Sequence, residues 1–260
     1  MSLTHIKLED FFNWREYYWA YQNTLAKEYY IPLLGEWGFQ INGIKVLDIG
    51  CGNGGFTEAF GDAGASITGV EIKSFNWKGH PNVQYLVQDI TADNAVEKLG
   101  VDFELIILRD VIEHIPLNEK LNFFKSALKF GSPDAKFLVT FPPFYSPFGI
   151  HQQTFLKTFL RKIPYLGWKP LWALKPLLKI IGENEEAISN IQEIHKCRMT
   201  LRRFELLVNK LNLGVVQEKS FLIRPSHEIR YGWKTREFKG QLFTGFRELV
   251  TLGVVYLLKK

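Results

Sequence analysis

The residues best suited to chemistry form one short run, Gly50-Cys51-Gly52-Asn53-Gly54-Gly55, between the apolar segment Lys45-Val46-Leu47-Asp48-Ile49 and Phe56-Thr57-Glu58-Ala59-Phe60. A strand that turns into a helix through glycines leaves backbone N–H groups and a helix N-terminus facing whatever lies in the turn. The spacing fits two templates. Gly50, Gly52 and Gly55 satisfy the dinucleotide pattern GxGxxG, while Gly50, Gly52 and Gly54 satisfy GxGxG. Asp48 helps to separate them: a carboxylate two residues before the first glycine repels a pyrophosphate and attracts a cation such as an amino acid's ammonium. Glu71 ends the next apolar run and is placed to accept both hydroxyls of a ribose; Asp89 ends the third and can accept from an exocyclic adenine amine. Three acidic strand ends together describe an adenosine joined to an amino acid rather than to a diphosphate. Each also has a plainer role open to it, as a turn cap or a loop acid.

Positioning these residues requires a sheet. Strands are expected at residues 45–49, 66–72, 83–89, 103–108 and 136–141, with helices from Phe56 and over Asn118 to Phe130. Strands alternating with helices imply right-handed crossovers and a parallel sheet, whose ligands lie at the strands' carboxyl ends. Four segments follow: an aromatic-rich helical cap at 1–43, a nucleotide-binding core at 44–143, an insertion at 144–199, and a closing helix with two strands, 215–223 and 254–258, at 200–260. In the cap, Trp14, Tyr17, Tyr18 and Tyr21 recur at helical spacing, which suits both packing onto the core and covering a ligand.

The 260 residues suffice for one large α/β domain with an insertion, and 46% apolar with 23% charged residues excludes a disordered or fibrous chain. Two cysteines make no disulfide framework, and no Cys/His spacing suggests zinc, so no metal site is expected. The opening Met1-Ser2-Leu3-Thr4-His5 lacks a basic stretch followed by an apolar run, and no window reaches the length of a spanning helix; a cytoplasmic location is expected. A net charge of +5 is mild, and no dense Lys/Arg stripe tracks a nucleic-acid backbone.

The run Val46-Leu47-Asp48-Ile49-Gly50-Cys51-Gly52-Asn53-Gly54, then Glu71, Asp89-Ile90 and Phe103-Glu104-Leu105-Ile106-Ile107-Leu108-Arg109-Asp110-Val111-Ile112-Glu113-His114-Ile115, resembles the class I, Rossmann-like S-adenosylmethionine-dependent methyltransferases. The last block resembles the small-molecule branch that contains the quinone-biosynthesis enzymes. The resemblance implies a doubly wound, seven-stranded, mostly parallel sheet with an antiparallel last strand, a helical cap before it and a helical insertion after the fifth strand. It implies S-adenosylmethionine as methyl donor and S-adenosylhomocysteine as product. Asp48 and the turn Gly50, Cys51, Gly52, Asn53 and Gly54 would hold the methionine moiety, Glu71 with Ile72 the ribose end, Asp89 with Ile90 the adenine. Arg109 and Asp110 would lie beside the methionine carboxylate or the sulfur. A nicotinamide-dependent oxidoreductase and a non-catalytic binding protein are the other readings of the glycine spacing.

A sulfonium is already an activated methyl donor, so the protein must chiefly align acceptor, methyl and sulfur and exclude water. Where the acceptor is a hydroxyl, a base helps, and His114 and His151 are the candidates; His195 is a third imidazole near the insertion's end. Phe141-Pro142-Pro143-Phe144 resembles the Pro-Pro-aromatic motif of amino methyltransferases, but Phe141 stands where they carry an Asn or Asp, and this lowers the nucleic-acid reading. Residues 155–181 carry Lys157, Arg161, Lys162, Lys169, Lys175 and Lys179 with no acid, among Phe155, Phe159, Tyr165, Trp168 and Trp172. That pattern suits a lid that accepts a lipophilic substrate or touches an anionic bilayer; Pro164, Pro170 and Pro176 argue for short helices within it.

Overall fold

The computed structural model describes residues 2–240 and 244–260; Met1 of the opening pentapeptide and residues 241–243 of the closing segment lie outside the described residues. Eight strands form one sheet: β1 (Lys45–Ile49), β2 (Ser66–Glu71), β3 (Val83–Val87), β4 (Phe103–Arg109), β5 (Gly131–Phe141), β6 (Gly214–Ile223), β7 (Arg236–Phe238) and β8 (Gly253–Lys259). Their order is β3-β2-β1-β4-β5-β8-β6-β7. The first five are parallel, and β8 enters antiparallel between β5 and β6. The expected seven strands become eight because the three-residue β7 pairs antiparallel with β6 at the sheet's edge. So short a strand, Arg-Glu-Phe, carries no periodic signal.

The helices are α1 (Trp14–Leu25), α2 (Ile31–Glu36), α3 (Gly55–Asp62), α4 (Ala95–Leu99), α5 (Lys120–Phe130), α6 (Gln152–Phe155), α7 (Leu171–Ile181), α8 (Glu185–Cys197), α9 (Leu201–Lys210), α10 (Pro225–Tyr231) and α11 (Thr244–Val250). A π-turn over Ala26–Tyr30 joins α1 to α2. The central strands are apolar on both sides because helices cover both faces. Val46, Leu105, Ile107 and Leu138 pack with Tyr21, Leu25 and Phe60, whereas Leu47, Ile106, Leu108 and Val139 pack with Phe124, Ala127 and Phe204. The two-residue period of the pleat sorts one apolar run into two cores.

The cap is tied down at both ends. Asn13 accepts from Glu16 N–H at 3.0 Å to start α1, and Asn23 donates to Gly55 O at 3.0 Å. Glu228 on α10 accepts from Leu3 N–H at 3.0 Å. Residues beyond β5 build a third cluster of their own, with Phe144, Ile150, Leu166, Leu174, Leu178, Ile188 and Ile191 buried together. Phe144 N–H donates to Met199 O at 2.7 Å, so the ends of this excursion are adjacent. Pro170 caps α7 as expected of a helix breaker, but Pro176 lies inside it, on an exposed face. The bond Pro176 forgoes is to the carbonyl of Trp172, which is 80% exposed.

Candidate functional site

The glycine turn sits where the strand order reverses, between β1 and its neighbours β2 and β4. Gly54 caps α3 at φ +88°, a left-handed conformation, and a Cβ there would meet Tyr85 Oη at 2.2 Å. A Cβ on Gly55 would lie 2.3 Å from the carbonyl oxygen of Trp19, so α1 packs straight onto the start of α3. The turn's carbonyls are also bound: Trp77 Nε1 donates to Gly52 O at 2.8 Å and Tyr85 Oη donates to Gly54 O at 3.2 Å. The Trp77 and Tyr85 rings stack at 4.9 Å with 4° between their planes. This aromatic wedge was not expected, since its two members lie in separate segments with no shared motif.

Glu71 closes the other side of the turn. Its carboxylate accepts from Gly52 N–H at 3.2 Å and from Ile72 N–H at 2.8 Å. A cavity of about 310 Å³ opens beside it, lined by Gly50, Glu71, Ile72, Asp89, Ile90, Asp110, Val111 and His114 among others. Asp89 accepts from Thr91 N–H and Oγ1 at 2.8 and 2.7 Å, which fixes the loop after β3.

Several expected residues stand elsewhere. Asp48 is 3% exposed and lies beneath the turn, accepting from Thr57 Oγ1 at 2.7 Å. Burial raises its carboxyl to about 6, against the opposing effects of the Thr57 bond and Arg109. Cys51 is buried and its thiol pKa is pushed up by desolvation. Arg109 does not line the cavity: its guanidinium lies 4.5 Å over the Phe56 ring and 3.6 Å from Asp110. Asn53 faces a different hollow, beside Arg15 and Trp19. His195 is buried against Phe144 and lines neither this cavity nor that hollow.

A second cavity of about 260 Å³ adjoins the first, and Asp110 and His114 line both. Its walls come from Trp14, Tyr18 and Tyr21 of the cap, Phe148, His151 and Phe155 after β5, and Arg224, His227 and Arg230 around α10. The cap thus covers a hollow as well as packing on the core. Arg224 Nη2 donates to both Asp110 oxygens at 2.7 and 2.8 Å. Burial alone would raise the Asp110 carboxyl, but Arg224 and Arg109 outweigh it and hold the group at about 2. The Arg224, His227 and Arg230 wall escaped sequence reasoning because no spacing links residue 110 to residue 224.

His114 and His151 line this cavity and the buried Glu113 adjoins them, with one ligand atom from each lying within 4.8 Å of the others. The two imidazoles stack at 5.3 Å. Desolvation, reinforced by His114, lowers His151 to about 3, so its ring is neutral at physiological pH. Burial drives Glu113 well above the ordinary range, aided by Asp110.

These features match known proteins. A methyltransferase-domain family model matches residues 18–218, more than half of the chain. The chain therefore belongs to the methyltransferase-domain family, and it carries a class I S-adenosylmethionine-dependent domain; the nicotinamide reading of the glycine spacing is set aside. Within that family it is similar to the ubiquinone biosynthesis O-methyltransferase of Pseudomonas fluorescens, 32% identical over 82 residues that cover 28% of this chain and 34% of the relative. The mitochondrial ubiquinone biosynthesis O-methyltransferase of Mus musculus is 32% identical over 89 residues, 30% of this chain and 24% of the relative. The matched stretch thus spans about a third or less of these relatives. In fold the chain is similar to the plantazolicin methyltransferase BamL in complex with a triazolic desmethylPZN analog and SAH, at 9% identity and a TM-score of 0.54, covering 94% of this chain and 86% of that one.

Proposed function

We propose that the chain transfers the methyl group of S-adenosylmethionine to a small-molecule acceptor, with the cofactor in the cavity at the carboxyl edge and the acceptor in the aromatic cavity beside it. The observation that carries this reading is the junction of the two cavities at Asp110 and His114. The bound cofactor supplies an activated methyl on a sulfonium. Glu71 has lone pairs left for the ribose hydroxyls, Ile72 and Ile90 flank the adenine, and Asp89 meets its amine. The buried Asp48 carboxylate lies beneath the turn and favours a cationic group, such as the methionine ammonium, above it. Trp14, Tyr18 and Tyr21 exclude water from the acceptor, which in-line displacement needs. Asp110, kept ionised by Arg224 and Arg109, faces the sulfonium side and favours positive charge there. His114 stands at the junction as the nearer candidate for the acceptor's proton.

The exposed face over 155–181 supports a lipophilic acceptor drawn from a membrane surface. Phe159, Trp168, Trp172 and Ile180 are exposed there beside the basic residues, and no helix among the described residues is long and apolar enough to cross a membrane. Incubating the purified chain with methyl-labelled donor and a metabolite-plus-lipid extract tests the reading. Mass spectrometry should find label in a low-molecular-weight product, with S-adenosylhomocysteine formed in equal amount. Label confined to protein or RNA would overturn it. Flotation on anionic vesicles at low salt tests the surface separately, and an unbound chain would remove the membrane step.

A further inference from the structure

Glu113 is 3% exposed, yet neither of its carboxylate oxygens is met by another residue's donor. An unmatched carboxylate in such a place is strongly disfavoured unless a cation or a proton neutralises it. His151 Nε2, also buried and unpartnered, points at it from 3.9 Å. The backbone holds His151 at φ +56°, a left-handed conformation that a non-glycine residue adopts at some cost, and that conformation brings its ring onto His114. Nearby cations do not occupy the spot: Lys120 Nζ donates to the carbonyls of Ile112 and Ile115, and Arg224 is held by Asp110. Two imidazoles and one carboxylate, with ligand atoms within 4.8 Å of one another, are a donor set that suits manganese, iron, cobalt or zinc.

We propose that Glu113, His114 and His151 form a divalent transition-metal site in the wall of the acceptor cavity, with the two imidazoles facing the cavity and Glu113 behind them. Three protein ligands leave coordination positions open, and His114 places them where the two cavities meet. The site stands on this geometry alone; its role in transfer rests on the proposed methyl-transfer reading. In that role the metal binds a hydroxyl of the acceptor and lowers its pKa, and the proton leaves to water. The oxygen's electron pair forms the bond to the methyl carbon, the carbon–sulfur pair returns to sulfur, and the sulfonium becomes a neutral thioether. The arrangement favours oxygen acceptors over amines, and it makes His114 and His151 ligands rather than proton carriers.

The test uses the full chain stripped with EDTA and titrated with Co²⁺ and Zn²⁺, read by calorimetry and by the visible spectrum of the cobalt form. One equivalent should bind, with a cobalt spectrum showing imidazole ligation. Glu113→Gln and His151→Ala should each weaken binding by roughly tenfold or more, since even outer-shell changes at metal sites have effects of that size. His80→Ala, at a histidine paired with Asp62, should leave it unchanged. Should a buried substitution unfold the chain, His114→Asn at the exposed member must still weaken binding. No stoichiometric binding, or binding indifferent to all three ligand substitutions, overturns the site. Titrating S-adenosylhomocysteine into the same samples separates the two readings: nucleoside bound without metal sinks only the metal site, and metal bound without nucleoside sinks only the methyl-transfer reading.

Discussion

Replacing Asp48 by asparagine should reverse its effect on stability between pH 4 and pH 8. The carboxyl is buried and its pKa in the folded chain is about 6, against an ordinary value of 3.8. A carboxyl raised in this way adds stability that is complete below pH 3.8 and lost as pH rises through 6. The loss follows from the gap between 3.8 and about 6, at about 1.4 kcal/mol per pH unit, and comes to about 3 kcal/mol. Asparagine still accepts from Thr57 Oγ1 but brings an amide N–H₂ to bury, which costs about 1–2 kcal/mol at any pH. Asp48→Asn should therefore be less stable than the natural chain by about 1–2 kcal/mol at pH 4 and more stable by a similar amount at pH 8. Urea unfolding at pH 4, 6 and 8 measures this. The same substitution should weaken S-adenosylhomocysteine binding at pH 8, because the anionic charge beneath the turn is gone. Parallel stability curves for the two chains would refute the reasoning, since they would mean Asp48 ionises in the folded chain as it does in water.

Three further outcomes follow from the geometry. Glu71→Gln removes a charge-assisted acceptor worth about 1.5–3 kcal/mol, so calorimetry should show S-adenosylhomocysteine binding weakened about 10- to 100-fold with the fold intact. Gly55→Ala forces a Cβ against the Trp19 carbonyl and should lower stability by about 1–3 kcal/mol, seen as a melting point several degrees lower. Arg224→Met leaves Asp110 with Arg109 alone and should cost about 2–3 kcal/mol at pH 7, less than for a fully buried pair because both side chains are partly exposed. That cost should shrink below pH 4, because a carboxyl held near 2 contributes stability that is present above its unfolded value and lost as pH falls through the folded one.

The parts of the molecule legible in its sequence are those governed by local rules. The run Val46 to Gly54 shows a buried strand, a left-handed turn and a helix start within ten residues, and each step has its own residue chemistry. The antiparallel strand at 254–258 was legible as an apolar run. The aromatic cavity was not, because its walls come from Trp14, His151 and Arg230, which only tertiary packing brings together. The resemblance placed Arg109 beside the methionine end, and only the packed fold shows its guanidinium over Phe56 and beside Asp110. Glu113 and His114 were visible as a pair, but nothing local announced that the loop beyond β5 would return His151 to them.

The most direct test is a crystal structure of the chain grown with S-adenosylhomocysteine. The nucleoside should lie at the sheet's carboxyl edge, its ribose hydroxyls on Glu71, its adenine between Ile72 and Ile90, and its sulfur turned toward Asp110 and His114. Density for the nucleoside outside that cavity, or a sulfur facing away from the aromatic hollow, would contradict the account.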